Sequence, residues 1–113
     1  ASIYGINAPD YSLYKDTSMG NPAAYSASKG GLIQLTRWLA TTVSPEIRVN
    51  SISLGGIWRN QPSIFVKRYC SKTALGRMGH EEDIQGAIAY LASELSLYVT
   101  GENIVIDGGW TIK

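Results

Sequence analysis

A tyrosine and a lysine four positions apart, Tyr25 and Lys29, stand at the head of a long segment whose apolar residues recur at helical spacing. On a helix the two side chains lie one above the other on the same face. A phenol alone has a pKa near ~10 and exchanges protons poorly at neutral pH, whereas a neighbouring ammonium stabilises the phenolate and lowers that pKa. The pair therefore reads as a tuned acid/base. The same spacing occurs a second time, in Tyr11 and Lys15. That copy lies among the turn formers Asn7, Pro9, Asp10, Asp16, Ser18, Gly20, Asn21 and Pro22, so its spacing does not become a shared helix face. Only Tyr25 and Lys29 have a helix to hold their geometry.

The elements that must position this pair can be read in order. Residues 1 to 5 read as the end of a strand, which puts the Ser2 hydroxyl at a C-terminal sheet edge, where ligands bind in open parallel α/β sheets. A turn serine satisfying its own backbone is the competing reading. One helix is expected from Ala23 to about Val43, with Leu32, Leu35, Leu39 and Val43 as its stripe and Trp38 off it. Pro45 ends it, and residues 47 to 53 read as the next strand, parallel to the one ending at Ser2 because a helix connects them. A short helix is expected over 62 to 69. Another spans 81 to 91, with Glu81, Glu82 and Asp83 in its first turn, favourable toward the helix dipole. Residues 103 to 107 form a nearly continuous apolar run, as buried parallel strands do.

Taken together, Ser2-Ile3-Tyr4-Gly5, Tyr25-Ser-Ala-Ser-Lys29-Gly-Gly, Arg48-Val-Asn-Ser-Ile-Ser-Leu-Gly55-Gly-Ile57 and Thr100-Gly-Glu-Asn-Ile-Val-Ile-Asp107-Gly-Gly109 resemble the second half of a short-chain dehydrogenase/reductase. The match runs through nearly the whole chain in the family's order. It implies an α/β fold, the C-terminal part of a doubly wound, mostly parallel Rossmann-type sheet, with NAD or NADP as cofactor. It implies Tyr25 as proton donor, Lys29 as its neighbour and a contact to the nicotinamide ribose, and Ser2 as the hydroxyl that orients the substrate oxygen. Gly55 and the backbone of Ile57 would meet the nicotinamide. Members usually carry proline where Leu54 stands and threonine where Arg59 stands, so Arg59 either replaces a hydroxyl-to-phosphate contact with a charged one or faces solvent.

Several expectations follow from the resemblance together with the residues. The 22 residues between Ser2 and Tyr25 exceed the family's usual connection, so 6 to 22 read as an insertion. It is polar and tyrosine-rich, which suits a hydroxylated or charged substrate, with Tyr11 among its contacts; a solvated excursion that touches nothing is the alternative. Residues 58 to 78 read as a mobile lid, with Trp58, Gln61 and Phe65 toward the substrate. Gly30 and Gly31 cost about 1 kcal/mol each relative to alanine in a helix, which implies close approach by the cofactor or a second helix. Trp38 lies either on the domain's own sheet or in a homodimer or homotetramer interface built on helix 23–43. Asp107 reads as structural. The tyrosine-rich loop and Asn60-Gln61-Pro62 resemble a bacterial subgroup linked to flagellin modification and nonulosonic acid sugars.

Composition bounds the rest. Ten Lys and Arg against nine Asp and Glu leave a net charge of +1 with no basic stripe, which argues against nucleic acid. Apolar runs stay far below the roughly 18 residues that span a bilayer. The single cysteine, Cys70, excludes an internal disulfide and suits a reducing, cytoplasmic setting; with the only histidine at position 80 it reads as an incidental thiol. No metal site is read. There is no glycine-rich strand-to-helix turn that would cradle a pyrophosphate, so residues 1–113 are expected to be the C-terminal, catalytic and substrate-side portion of one domain whose dinucleotide-binding half lies outside this chain. Such a piece is expected neither to fold stably nor to turn over alone. A dinucleotide-binding regulator without turnover, or a scaffold built on helix 23–43, are the competing functions.

Overall fold

The structure is a computed structural model and describes residues 1–112. Five regular elements follow in order: α1 (Ala23–Thr42), β1 (Ser51–Leu54), α2 (Ser63–Lys72), α3 (Glu82–Ala92) and β2 (Asn103–Ile106), with 3-10 turns at Ile3–Gly5, Tyr11–Leu13 and Glu94–Ser96. β1 and β2 pair in parallel, Ser51 opposite Asn103 through Leu54 opposite Ile106. Ser2 bridges Leu54, also in parallel, and the Ala1 amino group donates to the Ile52 carbonyl at 2.6 Å. Residues 1 and 2 therefore extend the parallel ladder on the other side of β1, as the sequence leads one to expect.

The β1 strand is shorter than 47 to 53 at its start because side chains take over the pairing there. Asn50 Nδ2 donates to the Val99 carbonyl at 2.9 Å, Asn50 Oδ1 accepts from Glu102 N–H at 3.0 Å, and Thr100 Oγ1 accepts from Val49 N–H at 3.1 Å. Within the strand the buried hydroxyls of Ser51 and Ser53 both donate to Asn103 Oδ1 at 2.9 Å, which satisfies groups that would otherwise be costly to bury. Arg48 spans the end of α3: its guanidinium donates to the carbonyls of Leu91 at 2.9 Å and Val99 at 3.2 Å, a cation at the negative end of a helix.

Two expectations about burial are corrected. On α1 the inward face is Ile33, Thr36 and Ala40, at i, i+3 and i+7, whereas Leu32 and Leu35 of the expected stripe are exposed and Trp38 is 59% exposed. Spacing alone cannot decide which of two overlapping stripes turns inward; here Ile33 and Thr36 do, and Trp38 does not lie on the chain's own sheet. β2 is half-buried rather than enclosed, with Val105 exposed, and α3 buries no residue at all.

The core lies away from the sheet, where Ile3, Leu13, Phe65, Tyr69, Met78 and Trp110 cluster. Each such side chain contributes about 1.5–3 kcal/mol of burial. The aromatic members continue into a circuit: Tyr14 to Phe65, Phe65 to Tyr69, Tyr69 to Trp110 and Trp110 to Tyr4, with centroids 5.6, 6.0, 6.2 and 6.0 Å apart. The Tyr14 hydroxyl, donating to the Tyr4 hydroxyl at 2.9 Å, closes it. The insertion at 6–22 is therefore packed against the body of the protein, and α2 is anchored through Phe65 and Tyr69. The Trp110 Nε1 donor has no partner among the described residues.

Candidate active site

Tyr25 and Lys29 lie on the first two turns of α1, which starts immediately after Pro22. The Lys29 ammonium sits over the Tyr25 ring, 5.2 Å from its centroid, so the face shared at i and i+4 is realised. Ser2 is brought to them by a backbone contact. A Cβ added at Gly5 would lie 2.7 Å from the Lys29 carbonyl carbon and 2.8 Å from Gly30 N. The Ile3–Gly5 turn thus rests directly on the Lys29–Gly30 peptide. That contact is what the small residue at 30 permits, so within this chain the close approach at Gly30 is made by this turn; no described residue approaches Gly31 within 4 Å.

Ser2 and Tyr25 line one cleft of about 260 Å³, together with Tyr4, Tyr14, Phe65 and Tyr69. Ser2 Oγ accepts the Tyr4 N–H at 3.2 Å. A hydroxyl has a second lone pair and a proton to spare, so the capping role and a substrate contact coexist. Three of the four tyrosines in the cleft are held protonated. Burial pushes Tyr69 up to about 12, against the lowering effect of the Gly56 N–H on its oxygen. Burial likewise raises Tyr4 and Tyr14. Tyr25 alone among them carries an ammonium against its ring.

At the exit of β1, Gly55 and Gly56 are glycines because the protein packs on them. A Cβ on Gly55 would meet Asp107 Cα at 2.7 Å, and one on Gly56 would meet the Tyr69 ring at 2.7 Å. Ile57 then bridges Gly79 in parallel, with Gly79 N–H donating to the Gly56 carbonyl and Trp58 N–H to the Gly79 carbonyl, both at 2.9 Å. In such a bridge the N–H and C=O of Ile57 itself point away from Gly79. The carbonyl accepts from Gln61 Nε2 at 2.8 Å; among the described residues nothing accepts from the N–H. A carboxamide oxygen fits that donor.

Three expected substrate contacts are placed elsewhere. Tyr11 sits in a 3-10 turn, 63% exposed, and its hydroxyl donates to the Asn21 carbonyl at 3.2 Å; Lys15 is not on a helix with it. Gln61 braces its own loop, its Oε1 accepting from Arg59 N–H at 2.7 Å while its amide holds Ile57. Trp58 lies with His80, centroids 6.3 Å apart, outside the cleft. Arg59 pairs with Glu81 at 2.5 Å on the surface. Phe65 does line the cleft. Asn21, 8% exposed, was missed: its Nδ2 donates to Ser26 Oγ at 3.2 Å and so fixes the entry to α1. Asp107 is structural in its contacts, accepting from Gly109 N–H at 2.8 Å and from the Thr111 N–H and hydroxyl at 2.8 and 2.7 Å.

Residues 11–111 match the family model described as enoyl-(acyl carrier protein) reductase. A short-chain dehydrogenase from Leptospira borgpetersenii, solved with bound NAD+, superposes with a TM-score of 0.92 at 46% identity over 98% of this chain and 42% of that one. The chain belongs to the short-chain dehydrogenase/reductase family. The flagellin modification protein A of Campylobacter coli is 40% identical over 97% of the chain and 43% of its own length. An NADP-dependent mannitol dehydrogenase of Hypocrea jecorina is 38% identical over 80% of the chain and 35% of its own. This dehydrogenase/reductase chain thus spans less than half the length of these relatives, which use NAD or NADP where their names state a cofactor. Its α/β architecture with a parallel sheet is the family's.

Proposed function

We propose that the chain is the C-terminal, catalytic portion of a Rossmann-type dehydrogenase/reductase domain that transfers a hydride between NAD(H) or NADP(H) and a carbonyl/alcohol pair of a polar, sugar-type small molecule. The observation that carries this is the convergence of Ser2 and Tyr25 on one cleft with the Lys29 ammonium against Tyr25. The bound nicotinamide supplies or accepts the hydride; Lys29, Tyr25, Gly55 and the free N–H of Ile57 would hold it. Reduction places negative charge on the substrate oxygen, so a proton must arrive there as that charge develops. Tyr25 delivers it, Lys29 stabilises the phenolate left behind, and the Ser2 hydroxyl donates to the same oxygen. In oxidation the phenolate takes the proton back.

The substrate class is supported by the sequence likeness to a mannitol dehydrogenase and to a flagellin modification protein. A homodimer or homotetramer through α1 is supported by the exposure of Leu32, Leu35 and Trp38 on one outer face. No helix of the described residues is long and apolar enough to cross a membrane. A cytoplasmic setting is supported by the free thiol of Cys70.

The test is a pair of variants in the full-length protein. Tyr25→Phe removes the proton that is transferred and is expected to abolish nearly all oxidation of NADH or NADPH, while Tyr11→Phe, which loses only a surface tether, keeps it. Equal losses with intact circular dichroism would show that Tyr25 is not the acid.

A further inference from the structure

Among the described residues, none of the side chains lining the cleft reached by Ser2 and Tyr25 is charged. Its polar groups are hydroxyls, Asn21 and backbone. The charges that the sequence places in the insertion point elsewhere. Asp10 pairs with Lys72 and Asp16 with Arg68, whose guanidinium also donates to the Lys15 carbonyl. Those pairs bind the insertion to α2, and what it offers the cleft is the uncharged set Tyr14, Met19, Gly20, Asn21 and Pro22.

Tyr4, Tyr14, Phe65 and Tyr69 line the same cleft and are part of one continuous aromatic circuit. Within it Tyr14 donates its proton to Tyr4. The bond between the two hydroxyls uses one proton of the pair and leaves the other to give. Burial keeps both hydroxyls protonated, so they offer a substrate hydrogen bonds but no charge to pair with an anion.

Resting on the dehydrogenase reading and sharpening its substrate, we propose that this site takes a neutral ring-bearing carbonyl or alcohol. The apolar face of the ring lies on the aromatic wall, and a hydroxyl remote from the reacting carbon accepts from the Tyr4–Tyr14 hydroxyl pair. A carboxylate or phosphate remote from the reacting carbon would be desolvated against that wall, where no described lining residue is cationic and the Lys29 ammonium is taken up beside Tyr25, which costs more than the contacts return.

The experiment uses the full-length protein and two matched probes, 4-hydroxycyclohexanone and 4-oxocyclohexanecarboxylate. It follows both cofactor oxidation and binding, the latter by the change in bound-NADH or NADPH fluorescence and by calorimetry. The neutral ketone is expected to be favoured by about tenfold or more in binding and in kcat/KM. Met19→Arg, which introduces a cation at the cleft rim, should reverse that order. Tyr4→Phe should raise KM for the hydroxylated ketone and leave that for cyclohexanone unchanged. Equal use of the two probes, preference for the carboxylate, or binding of neither at millimolar concentration would overturn the proposal. Preferential binding of the neutral ketone with no cofactor oxidation would instead overturn the dehydrogenase reading and leave the ligand class standing.

Discussion

Gly5→Ala is the substitution that tests how the site is assembled. The added Cβ would sit 2.7 Å from the Lys29 carbonyl carbon and 2.8 Å from both Lys29 O and Gly30 N. Carbon contacts become comfortable only from about 3.4 Å, so turn and helix must part by roughly 0.7 Å. All three atoms are backbone, and none can swing aside. Overpacking of this kind costs about 1–3 kcal/mol. The displacement falls between Ser2, three residues earlier on the turn, and Tyr25 and Lys29 on the helix, where misplacement of about 1 Å costs on the order of 100-fold. A 10- to 100-fold fall in kcat/KM is therefore expected, at the scale of about 0.7 Å. Two neighbours calibrate it. Gly30→Ala meets only the Gly5 carbonyl oxygen at 3.3 Å and should fall between. Gly31→Ala meets nothing within 4 Å and should raise stability by about 0.5–1 kcal/mol through helix propensity, with activity intact. Thermal melts and NADH or NADPH oxidation by the three full-length variants give the comparison. A Gly5→Ala protein as stable and as active as Gly31→Ala refutes the claim that this contact sets the site.

Two further outcomes follow from surface groups outside the cleft. The Lys72 ammonium, then the Ser12 contacts, hold the Asp10 carboxyl down at about 2, so its contribution to docking the insertion is complete above the ordinary aspartate range and is lost as pH falls through about 2. Hydrogen exchange of residues 11–22 should stay slow to about pH 3, and Asp10→Asn should quicken it already at neutral pH; unchanged exchange in the variant would show that the pair, with both partners partly exposed, anchors nothing. Trp38→Glu should lower the assembly state measured by light scattering while leaving a monomer that still binds cofactor, and an unaltered oligomer would remove α1 as the interface.

What could be read from the sequence was what local chemistry dictates. The α1 boundaries follow from Pro22 and Pro45, the β2 strand from its apolar run and the glycines after it, and the choice between two tyrosine-lysine spacings from turn formers around the first. What could not be read depended on long-range partners. Gln61 is polar and loop-borne, as a substrate contact would be, and only the fold shows that the Ile57 carbonyl claims it. The polar insertion looked suited to charged ligands because nothing local reveals that Lys72 and Arg68, more than fifty positions away, consume its acids. Asn21 gave one faint signal, standing just ahead of Pro22 at a helix start.

The insertion and α2 answer to each other physically. Tyr14 touches Phe65, Asp10 touches Lys72, and Leu13 is fully buried in the cluster that also holds Tyr69. A segment tied by an aromatic contact, two ion pairs and a buried leucine cannot open independently of the helix that carries its partners, because releasing one wall strips contacts from the other. The Tyr69 hydroxyl, in turn, accepts from Gly56 N–H, one residue before the Ile57 N–H that is left for a ligand. Movement of the insertion would therefore be transmitted through Tyr69 to Gly56, the residue before the N–H proposed to meet the nicotinamide.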